Sequence, residues 1–306
     1  MTEGKGINKT LFKYLGFTFG VAYVIQILVW RVAESANASG NLVLSSAAQL
    51  IMSAMMFVPL LGVLVSGAGL KGMGWKLKFK GNIPVLLFGW FMPAILTAIG
   101  AAIYFLVFPA HLDLTGQYMV EIGQGAVLEQ MEAAGMTYTT QIIISSISCI
   151  TYAPIINAIV AVGEEAGWRG YMYPVLKKRF GRGGGYILGG IIWGMWHWPL
   201  IMLTGYEYGT EYRGFPTVGM VVFCVFTVAM GILCDYTYEK TQCIWYPALI
   251  HGTINAAATV PIVMAVPSVI APYRLLGPAP NGLLAGVPIF VVAILIFARM
   301  KKRDDE

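Results

Sequence analysis

The stretch IPVLLFGWFMPAILTAIGAAIYFLVF (residues 83–108) decides the fold class, because it contains no acidic, basic or His side chain over its whole length. A helix of about 20 apolar residues crosses a hydrocarbon core of roughly 30 Å. A membrane barrel would instead show short segments in which apolar and polar residues alternate. The stretch therefore predicts a transmembrane α-helix.

Similar apolar runs recur along the chain, which is 58% hydrophobic and 11% charged and has a mean hydropathy of +0.71. These values lie far outside the range of a soluble domain of 306 residues. No linker or repeat divides the sequence. We predict an all-α polytopic membrane protein, a single integral membrane domain over residues 1–306, with eight spans that begin near Leu11, Leu42, Ile83, Gln141, Gly184, Phe215, Cys243 and Asn281.

The basic residues predict the orientation of these spans, since Lys and Arg accumulate in cytoplasmic loops. Only Arg31, Arg213 and Arg274 fall on the opposite side. We therefore expect both termini in the cytoplasm and an attraction to anionic membrane lipid, while no basic stripe remains to indicate a nucleic acid partner. The predicted cytoplasmic residues are Lys5, Lys9, Lys13, Lys71, Lys76, Lys78, Lys80, Arg169, Lys177, Lys178, Arg179, Arg182, Lys240, Arg299, Lys301, Lys302 and Arg303.

The segment 109–140 is predicted to form the main external loop, because it is acidic and contains no Lys or Arg.

Directly after the first predicted span, the residues Ala36-Asn-Ala38 resemble a signal-peptide cleavage site. The apolar run from Leu15 to Trp30 is long for a signal peptide, so we expect an uncleaved first span.

Two sets of residues are expected to serve packing alone. The four Cys residues lie in or near spans without CxxC spacing, which indicates neither disulfides nor a thiolate metal site. Small residues that recur on one helical face let helices approach closely in lipid. These sets are Cys149, Cys224, Cys234 and Cys243, and Gly163, Gly167, Gly170, Gly185, Gly189, Gly190 and Gly194.

The stretch GEEAGWRGYMY (residues 163–173) places two adjacent carboxylates in a predicted span. On a helix, Glu165 and Arg169 share a face and can form an ion pair, while Glu164 points about 100° away. An unpaired Glu in a low-dielectric cavity has its pKa raised toward the range of a general base. Glu164 is therefore the candidate base, although a purely structural ion-pair cluster at a helix end accounts for the pattern equally well.

Two further spans carry polar groups, His197 in WGMWHWP and His251 in HGTIN. Ionisable residues inside spans usually mark function, although a lone His is also a common packing residue. His251 and Asn255 are four apart and share a helical face, where both can donate to one oxygen as an oxyanion hole does. An interhelical polar clasp is the alternative interpretation of this pair.

The depths of these residues predict that they converge. Counting about 1.5 Å per residue from the nearest basic residue puts Glu164, His197 and His251 roughly 16 to 23 Å from the cytoplasmic ends of their spans. A straight helix from Gln141 to Lys177 would be about 54 Å long, too long for one span. We therefore expect a bend near Pro154 or after Gly163.

Three motifs now stand in order on successive spans: Glu164-Glu165-x-x-x-Arg169, an aromatic residue four positions before His197, and His251-x-x-x-Asn255. The set resembles the CPBP intramembrane proteases, which include the type II CAAX prenyl endopeptidases and the bacteriocin-processing and self-immunity proteins of bacteria. The likeness covers roughly residues 142–258. One departure is Trp193, where the family usually has Phe.

The resemblance implies an intramembrane endopeptidase of a prokaryotic plasma membrane, open to the cytoplasm, that cuts a membrane-associated or prenylated peptide. Glu164 would activate water with His197, His251 and Asn255 would stabilise the oxyanion, and Glu165 with Arg169 would hold the site in register. Two His and one Glu are also a zinc ligand set, so a metal held by Glu164, His197 and His251 is the alternative. Because the residues can fill every hydrolytic role unaided, we expect no cofactor.

Two other classes of function also fit these residues. Buried Glu and His residues also suit a transporter or proton relay, but the first half of the chain lacks the matching polar residues that an inverted repeat would show. A non-catalytic bacteriocin-immunity protein would keep the fold without the reaction.

Overall fold

The computed structural model describes residues 2–305, with side chains described for residues 9–300. The all-helical prediction is confirmed, since no strand forms within this described range and only an isolated bridge joins Leu112 and Ala265. Four basic residues used in the orientation argument lie outside the described side chains: Lys5, Lys301, Lys302 and Arg303.

The first half of the chain supplies four long or bent helices. The Asn41 side chain caps the second of them by accepting hydrogen bonds from the backbone N–H groups of Val43 and Leu44. The second and third helices meet at an angle of 40°. In chain order the four are α1 (Thr2–Ser39), α2 (Leu42–Met55), α3 (Val58–Ser66) and α4 (Ile83–Val107).

The predicted external loop contains short helices. A 3₁₀ turn at Pro109–His111 follows α4, and Asp113 then accepts backbone N–H bonds from Gly116 and Gln117. Although partial burial opposes the shift, these bonds and one from the Thr115 hydroxyl hold the Asp113 pKa below its ordinary value. The helices of this region are α5 (Gln117–Glu121), α6 (Gly125–Ala133) and α7 (Tyr138–Ile150).

The predicted bend is present as a break between α7 and α8 (Ala153–Gly167), directly before Pro154 in the first turn of α8. A proline is tolerated there because the first helical N–H groups have no intrahelical partner. A single π-helical turn, Trp168–Met172, then joins α8 to α9 (Tyr173–Trp196). The chain is therefore bent both before and after the glutamate pair.

The helix α9 is in fact a hairpin. Gly181 adopts φ 72° and ψ 167°, a conformation open mainly to glycine, and Gly185 lies against the backbone of Lys177. In a straight helix residues eight apart would be about 12 Å apart. Gly189 likewise lies against the ring of Tyr173. The two arms of α9 therefore run antiparallel, with the basic cluster at their reversal as the sequence predicts.

The remaining helices complete the bundle. A loop of residues 205–216 separates the short helix that follows His197 from the next long one. In chain order they are α10 (Trp198–Thr204), α11 (Thr217–Thr241), α12 (Trp245–Ala257), α13 (Thr259–Val263), α14 (Pro267–Ile270), a 3₁₀ turn (Ala271–Tyr273) and α15 (Val287–Asp305).

The predicted count of eight spans is not confirmed. By length and composition, four described helical stretches could cross a membrane: Lys9–Ser39, Ile83–Val107, Ala153–Thr204 and Thr217–Thr241, and the bent pair α2 and α3 makes a fifth if it counts as one span. The difference arises because α12 and the apolar part of α15 are shorter than the 20 residues that the sequence count assumed, and because the predicted spans that begin near Gln141 and Gly184 both overlap the one continuous helical stretch Ala153–Thr204. The number of spans and the cytoplasmic position of the termini stay predictions.

The outer surface of the bundle is apolar, as a membrane protein requires. Along α4, apolar side chains at every fourth position are exposed by 40 to 51% of their area. Exposing such an apolar stripe to water would raise the free energy of the folded state, whereas contact with lipid would not. The stripe consists of Ile83, Leu87, Phe91, Ile95 and Ile99.

Glycines set the close approach of the helices that carry the polar residues. Gly163 lies against Met56 and Phe57, and Gly167 lies against Pro59, so the absence of a Cβ lets α8 approach the start of α3 closely. On its other side, Gly252 of α12 lies against Pro154 and the backbone of α8. This packing, which the small-residue spacing predicts, brings the glutamate pair close to α12.

Candidate active site

Glu164 and Glu165 lie side by side in the last turn of α8, and their exposed fractions are 2% and 0%. The Nη1 of Arg169 donates to the Glu165 carboxylate at 3.0 Å, which confirms the predicted ion pair. The guanidinium is held between the rings of Tyr173 and Trp193, at 4.6 and 4.4 Å from the ring centroids. Arg169 is thus held in place by Glu165 and by the two aromatic rings.

Glu164 forms no ion pair with the described residues, but its carboxylate does have hydrogen-bond partners. Its Oε2 accepts hydrogen bonds from two indole N–H groups, Trp168 Nε1 at 3.0 Å and Trp193 Nε1 at 2.7 Å. Trp168 lies four residues after Glu164 on the same helical face, so this spacing in the sequence could have indicated the hydrogen bond between them. Because both bonds go to Oε2, Oε1 is left as the free acceptor.

Trp193 therefore has a role that its sequence motif does not show. A Phe at this position could fill the same apolar space but could not donate to Glu164. The departure from the usual aromatic residue of the motif adds a hydrogen bond to the candidate base.

His197 is held with a defined ring orientation at the end of α9. Its Nδ1 lies 3.0 Å from the carbonyl oxygen of Trp193, so Nδ1 carries the proton and Nε2 has a free lone pair in the neutral ring. The ring stacks on Tyr206, with centroids 6.0 Å apart and planes 7° apart, and meets Phe223 edge-on. The imidazole is therefore positioned to accept a proton or a hydrogen bond at Nε2.

His251 on α12 connects to the ion pair behind the cavity. Its Nδ1 lies 2.8 Å from Oε1 of Glu165, and its ring meets Trp193 edge-on. The carboxylate accepts this bond, so Nδ1 is protonated and Nε2 is the nitrogen left for other partners. Glu165 therefore orients His251 as well as pairing with Arg169.

Asn255 follows His251 by one turn, and its side-chain amide bonds to none of the described residues. The alternative of an interhelical clasp through Asn255 therefore receives no support. A cavity of about 180 Å³ is lined by Glu164, His197, His251 and Asn255. The structure thus brings these four predicted residues to one cavity, whereas Glu165 and Arg169 do not line it.

The lining of the cavity also contains groups that the sequence motifs do not indicate. Glu207, in the loop after α10, accepts a 2.7 Å hydrogen bond from the Nδ2 of Asn281, and the Nη2 of Arg274 donates to its backbone carbonyl at 2.9 Å. Burial raises the pKa of Glu207, opposed by Tyr206, Arg274 and Asn281. Glu207 and Asn281 line the cavity together with Gln49 and Ser53 of α2, so the first half of the chain also contributes to the site.

The residues that could hold a metal do not come together as a ligand set. Within the part of the chain that the structure describes, no group of three or more His, Cys, Asp or Glu side chains is placed to hold a metal ion. Glu164, His197 and His251 share a cavity, but they do not meet the geometry of a zinc site here.

Comparison with known proteins identifies the segment that carries these residues. Residues 132–257 match the family model described as type II CAAX prenyl endopeptidase Rce1-like. Over 109 residues the chain is 29% identical to the CAAX prenyl protease 2 of Methanococcus maripaludis, an alignment that covers 35% of this chain and 36% of that protein. The chain thus spans about a third of the curated relative that it matches. Since Glu164, His197, His251 and Asn255 all lie inside the matched segment, the predicted resemblance to the CPBP and type II CAAX prenyl endopeptidase family is confirmed for this part of the chain.

Proposed function

We propose that the protein is an intramembrane endopeptidase that hydrolyses a peptide bond of a membrane-associated peptide within this cavity. The proposal rests on the hydrogen bonding of the Glu164 carboxylate. One of its carboxylate oxygens is fixed by two indole donors, and the other is free beside two His residues and an Asn. The name of the archaeal relative, a CAAX prenyl protease, supports this class of reaction.

The reaction needs a base, an oxyanion stabiliser and a donor to the leaving amine. Oε1 of Glu164 takes a proton from a cavity water, whose oxygen then attacks the peptide carbonyl, while Nε2 of His197 accepts a hydrogen bond that orients this water. Glu164 passes the proton on to the leaving nitrogen when the C–N bond breaks. Each atom of the hydrolysis is thus accounted for by water and side chains.

The negative charge that develops on the carbonyl oxygen is stabilised by the Asn255 amide and by His251. Because Nδ1 of His251 donates to Glu165, donation from Nε2 requires the doubly protonated ring. Because Glu165 also pairs with Arg169, the carboxylates of Glu164 and Glu165 together balance the charges of Arg169 and of that ring. Glu165 and Arg169 therefore support the reaction without contacting the substrate.

We further propose that the substrate is a short membrane peptide, prenylated C-terminal peptides among them, and that it enters from the cytoplasmic side of a prokaryotic plasma membrane. The end of the bundle that carries Lys177, Lys178, Arg179, Arg182 and Lys240 is the side that the basic residues assign to the cytoplasm. We also propose that the reaction proceeds without a metal, because side chains supply all three roles.

The proposal is tested with the full chain in lipid vesicles and two fluorogenic probes, a farnesylated peptide and the same peptide without the lipid. We expect the wild-type protein to cleave at least one probe, and Glu164→Gln to lose this cleavage while its thermal unfolding is unchanged. Glu129→Gln, an exposed carboxylate in α6, is the matched control. Cleavage by Glu164→Gln at the wild-type rate would contradict the assigned base, and loss of wild-type cleavage on metal removal would contradict the metal-free reaction.

A further inference from the structure

The helical path that carries His197 is interrupted at this residue. Pro199 lies in the first turn of α10 and has no backbone N–H, so it cannot donate to the carbonyl of Met195 as the fourth following residue of a regular helix would. His197 adopts φ −92° and ψ −4°, at the edge of the helical region, and separates α9 from α10. The break therefore leaves backbone groups without their usual helical partners.

The side chain of Gln26 in α1 is inserted into this break. Its Nε2 donates to the carbonyl oxygen of Trp196 at 2.7 Å, and its Oε1 accepts a hydrogen bond from the backbone N–H of Leu200 at 3.1 Å. In a regular helix this N–H and this carbonyl, four residues apart, would bond directly to each other. One amide of a neighbouring helix thus replaces one backbone hydrogen bond, and its two partners fix which end of the amide is the donor.

Tyr23 lies three residues before Gln26, on the same face of α1. Its hydroxyl donates to the carbonyl oxygen of Met195 at 2.9 Å, the carbonyl that Pro199 leaves without its usual partner. Gln26 is fully buried and Tyr23 is half-buried. Unpaired backbone groups away from water destabilise a fold, and side chains of neighbouring helices can satisfy the groups that a proline frees. The two side chains of α1 therefore stabilise the interrupted conformation.

The orientation of the His197 ring depends on this interrupted turn. In a regular helix the N–H of His197 would bond to the carbonyl oxygen of Trp193. It bonds instead to the carbonyl of Gly194, three residues earlier, at 3.0 Å. The Trp193 carbonyl is therefore available to Nδ1 of the His197 ring, which lies 3.0 Å away, and Nε2 is left free. His197 also lies between the two residues that the amide of Gln26 bridges.

We propose that Gln26, together with Tyr23, is a positioning residue for the reaction, an inference that rests on the proposed function. The inserted amide keeps the backbone around His197 open, and the open backbone holds the ring with Nδ1 on a carbonyl and Nε2 free in the cavity that Glu164 also lines. Without the amide, the freed N–H and carbonyl must find other partners, and that movement displaces the ring. Small displacements of an oriented group lower the rate of a reaction step.

Gln26 and Tyr23 lie outside the part of the chain that carries the motifs. The matched family segment begins at residue 132, and neither side chain lines the cavity. They therefore act on the reaction only through the backbone on either side of His197. Because neither side chain meets a substrate in the cavity, their removal should lower kcat and leave KM unchanged.

A first experiment observes the His197 ring without measuring activity. The chain contains three His residues, so the full chain in lipid nanodiscs, labelled with ¹⁵N in its His rings, gives three ring systems to assign. In the wild-type protein we expect the neutral His197 ring to carry its proton on Nδ1. In Gln26→Met, which keeps the length of the side chain and removes both hydrogen bonds, we expect the His197 signals to shift and those of His111 and His251 to remain.

Two control variants separate this effect from a general change in packing. Thr18→Val alters a buried side chain of the same helix whose hydroxyl makes no hydrogen bond to the break. Tyr246→Phe removes a bond of the same kind as that of Tyr23, from a hydroxyl to the carbonyl of Lys78, in a part of the bundle that does not line the cavity. We expect the signals of all three His rings to stay at their wild-type positions in both variants.

Tyr23→Phe is the milder test, because it keeps the ring and removes only the donor to Met195. We expect a smaller shift than in Gln26→Met, confined to His197. This variant decides the outcome if Gln26→Met does not fold, which would change the signals of all three rings together. His197 signals that stay at their wild-type positions in Gln26→Met, or in Tyr23→Phe if Gln26→Met does not fold, would overturn the proposal.

The activity arm uses the farnesylated and the unmodified peptide. We expect kcat to fall about ten- to a hundredfold in Gln26→Met and less in Tyr23→Phe, with KM unchanged, and neither value to change in Thr18→Val or Tyr246→Phe. An unchanged kcat in Gln26→Met, with or without a change in KM, would overturn the positioning role. Failure of the wild-type protein to cleave either peptide would contradict the proposed function alone, because the His197 signals are measured independently.

Discussion

Glu164 and Glu165 are neighbours in the sequence, yet they lie in two different environments. Glu164 faces a cavity, is held by two neutral indole donors and keeps one oxygen free. Glu165 faces the dry interior, where it bonds to Arg169 and His251. The 100° step between consecutive helical residues is enough to separate a group that can react from a group that organises.

Substitutions of these two residues should therefore have different consequences. A group on the cavity side should lose reactivity and keep stability, because few protein contacts depend on it. A group on the interior side should lose stability first, because its removal leaves a buried charge without a partner. The following predictions test this division.

The largest effect is expected for Arg169→Ala. The substitution leaves Glu165 buried and without its cation, which typically costs about 3–5 kcal/mol in the free energy of unfolding. Thermal unfolding in detergent should show a much lower midpoint for this variant than for Lys240→Ala, a control at the end of α11. A midpoint equal to that of the wild-type protein would mean that the interior pair does not stabilise the fold.

A large effect on the reaction and none on stability is expected for Asn255→Ala. The amide bonds to nothing in the described chain, so the folded state loses no contact, whereas loss of one oxyanion donor lowers kcat by about 10²- to 10³-fold. Cleavage rates and unfolding midpoints of the variant and of Asn157→Ala should be compared, since Asn157 bonds only to the carbonyl of Ala153 in its own helix. An unchanged kcat would contradict the proposal that Asn255 stabilises the oxyanion.

A moderate effect is expected for Trp193→Phe, which keeps the aromatic ring but removes one donor to Glu164. A hydrogen bond to a charged group contributes about 1.5–3 kcal/mol, so we expect kcat/KM to fall by roughly tenfold or more. Trp90→Phe serves as the control, because its indole donates to the carbonyl of Ile150 on the outside of the bundle. An unchanged kcat/KM would show that Trp168 alone suffices to hold Glu164.

The smallest effect is expected for Glu207, which also lines the cavity. Burial raises its folded-state pKa, so the folded protein binds a proton more tightly than the unfolded chain does. Stability should therefore decline as the pH rises from the ordinary Glu value through the raised pKa of the folded state, and Glu207→Gln should remove this slope. Unfolding midpoints measured across acidic pH check the prediction, and identical slopes in the two proteins would contradict it.

Much of this division could be predicted from the sequence. The four-residue spacing of Glu165 and Arg169 indicates their pairing, and the break before Pro154 follows from the length of the apolar segment. The convergence of His197 and His251 with Glu164 follows from their similar depth in successive spans. Each of these features depends on local geometry or on the thickness of the membrane.

Other features depend on contacts between distant segments and left no local signal. Glu207 lies in an irregular loop, and its carboxylate is held at the cavity by Asn281, 74 residues later. The reversal at Gly181 is not distinguishable by sequence from a glycine-rich packing face. The span count differs for the same reason, because short helices inside a bundle carry the same apolar signal as full spans.

The most direct test of the account compares Glu164→Gln and Glu165→Gln in one preparation, with cleavage rate and unfolding midpoint measured on the same samples. We predict that Glu164→Gln unfolds at the wild-type temperature and does not cleave. We predict that Glu165→Gln unfolds at a lower temperature, because Arg169 loses its charged partner. Full cleavage by Glu164→Gln, or equal unfolding temperatures for the two variants, would contradict the separation of a reactive from an organising glutamate.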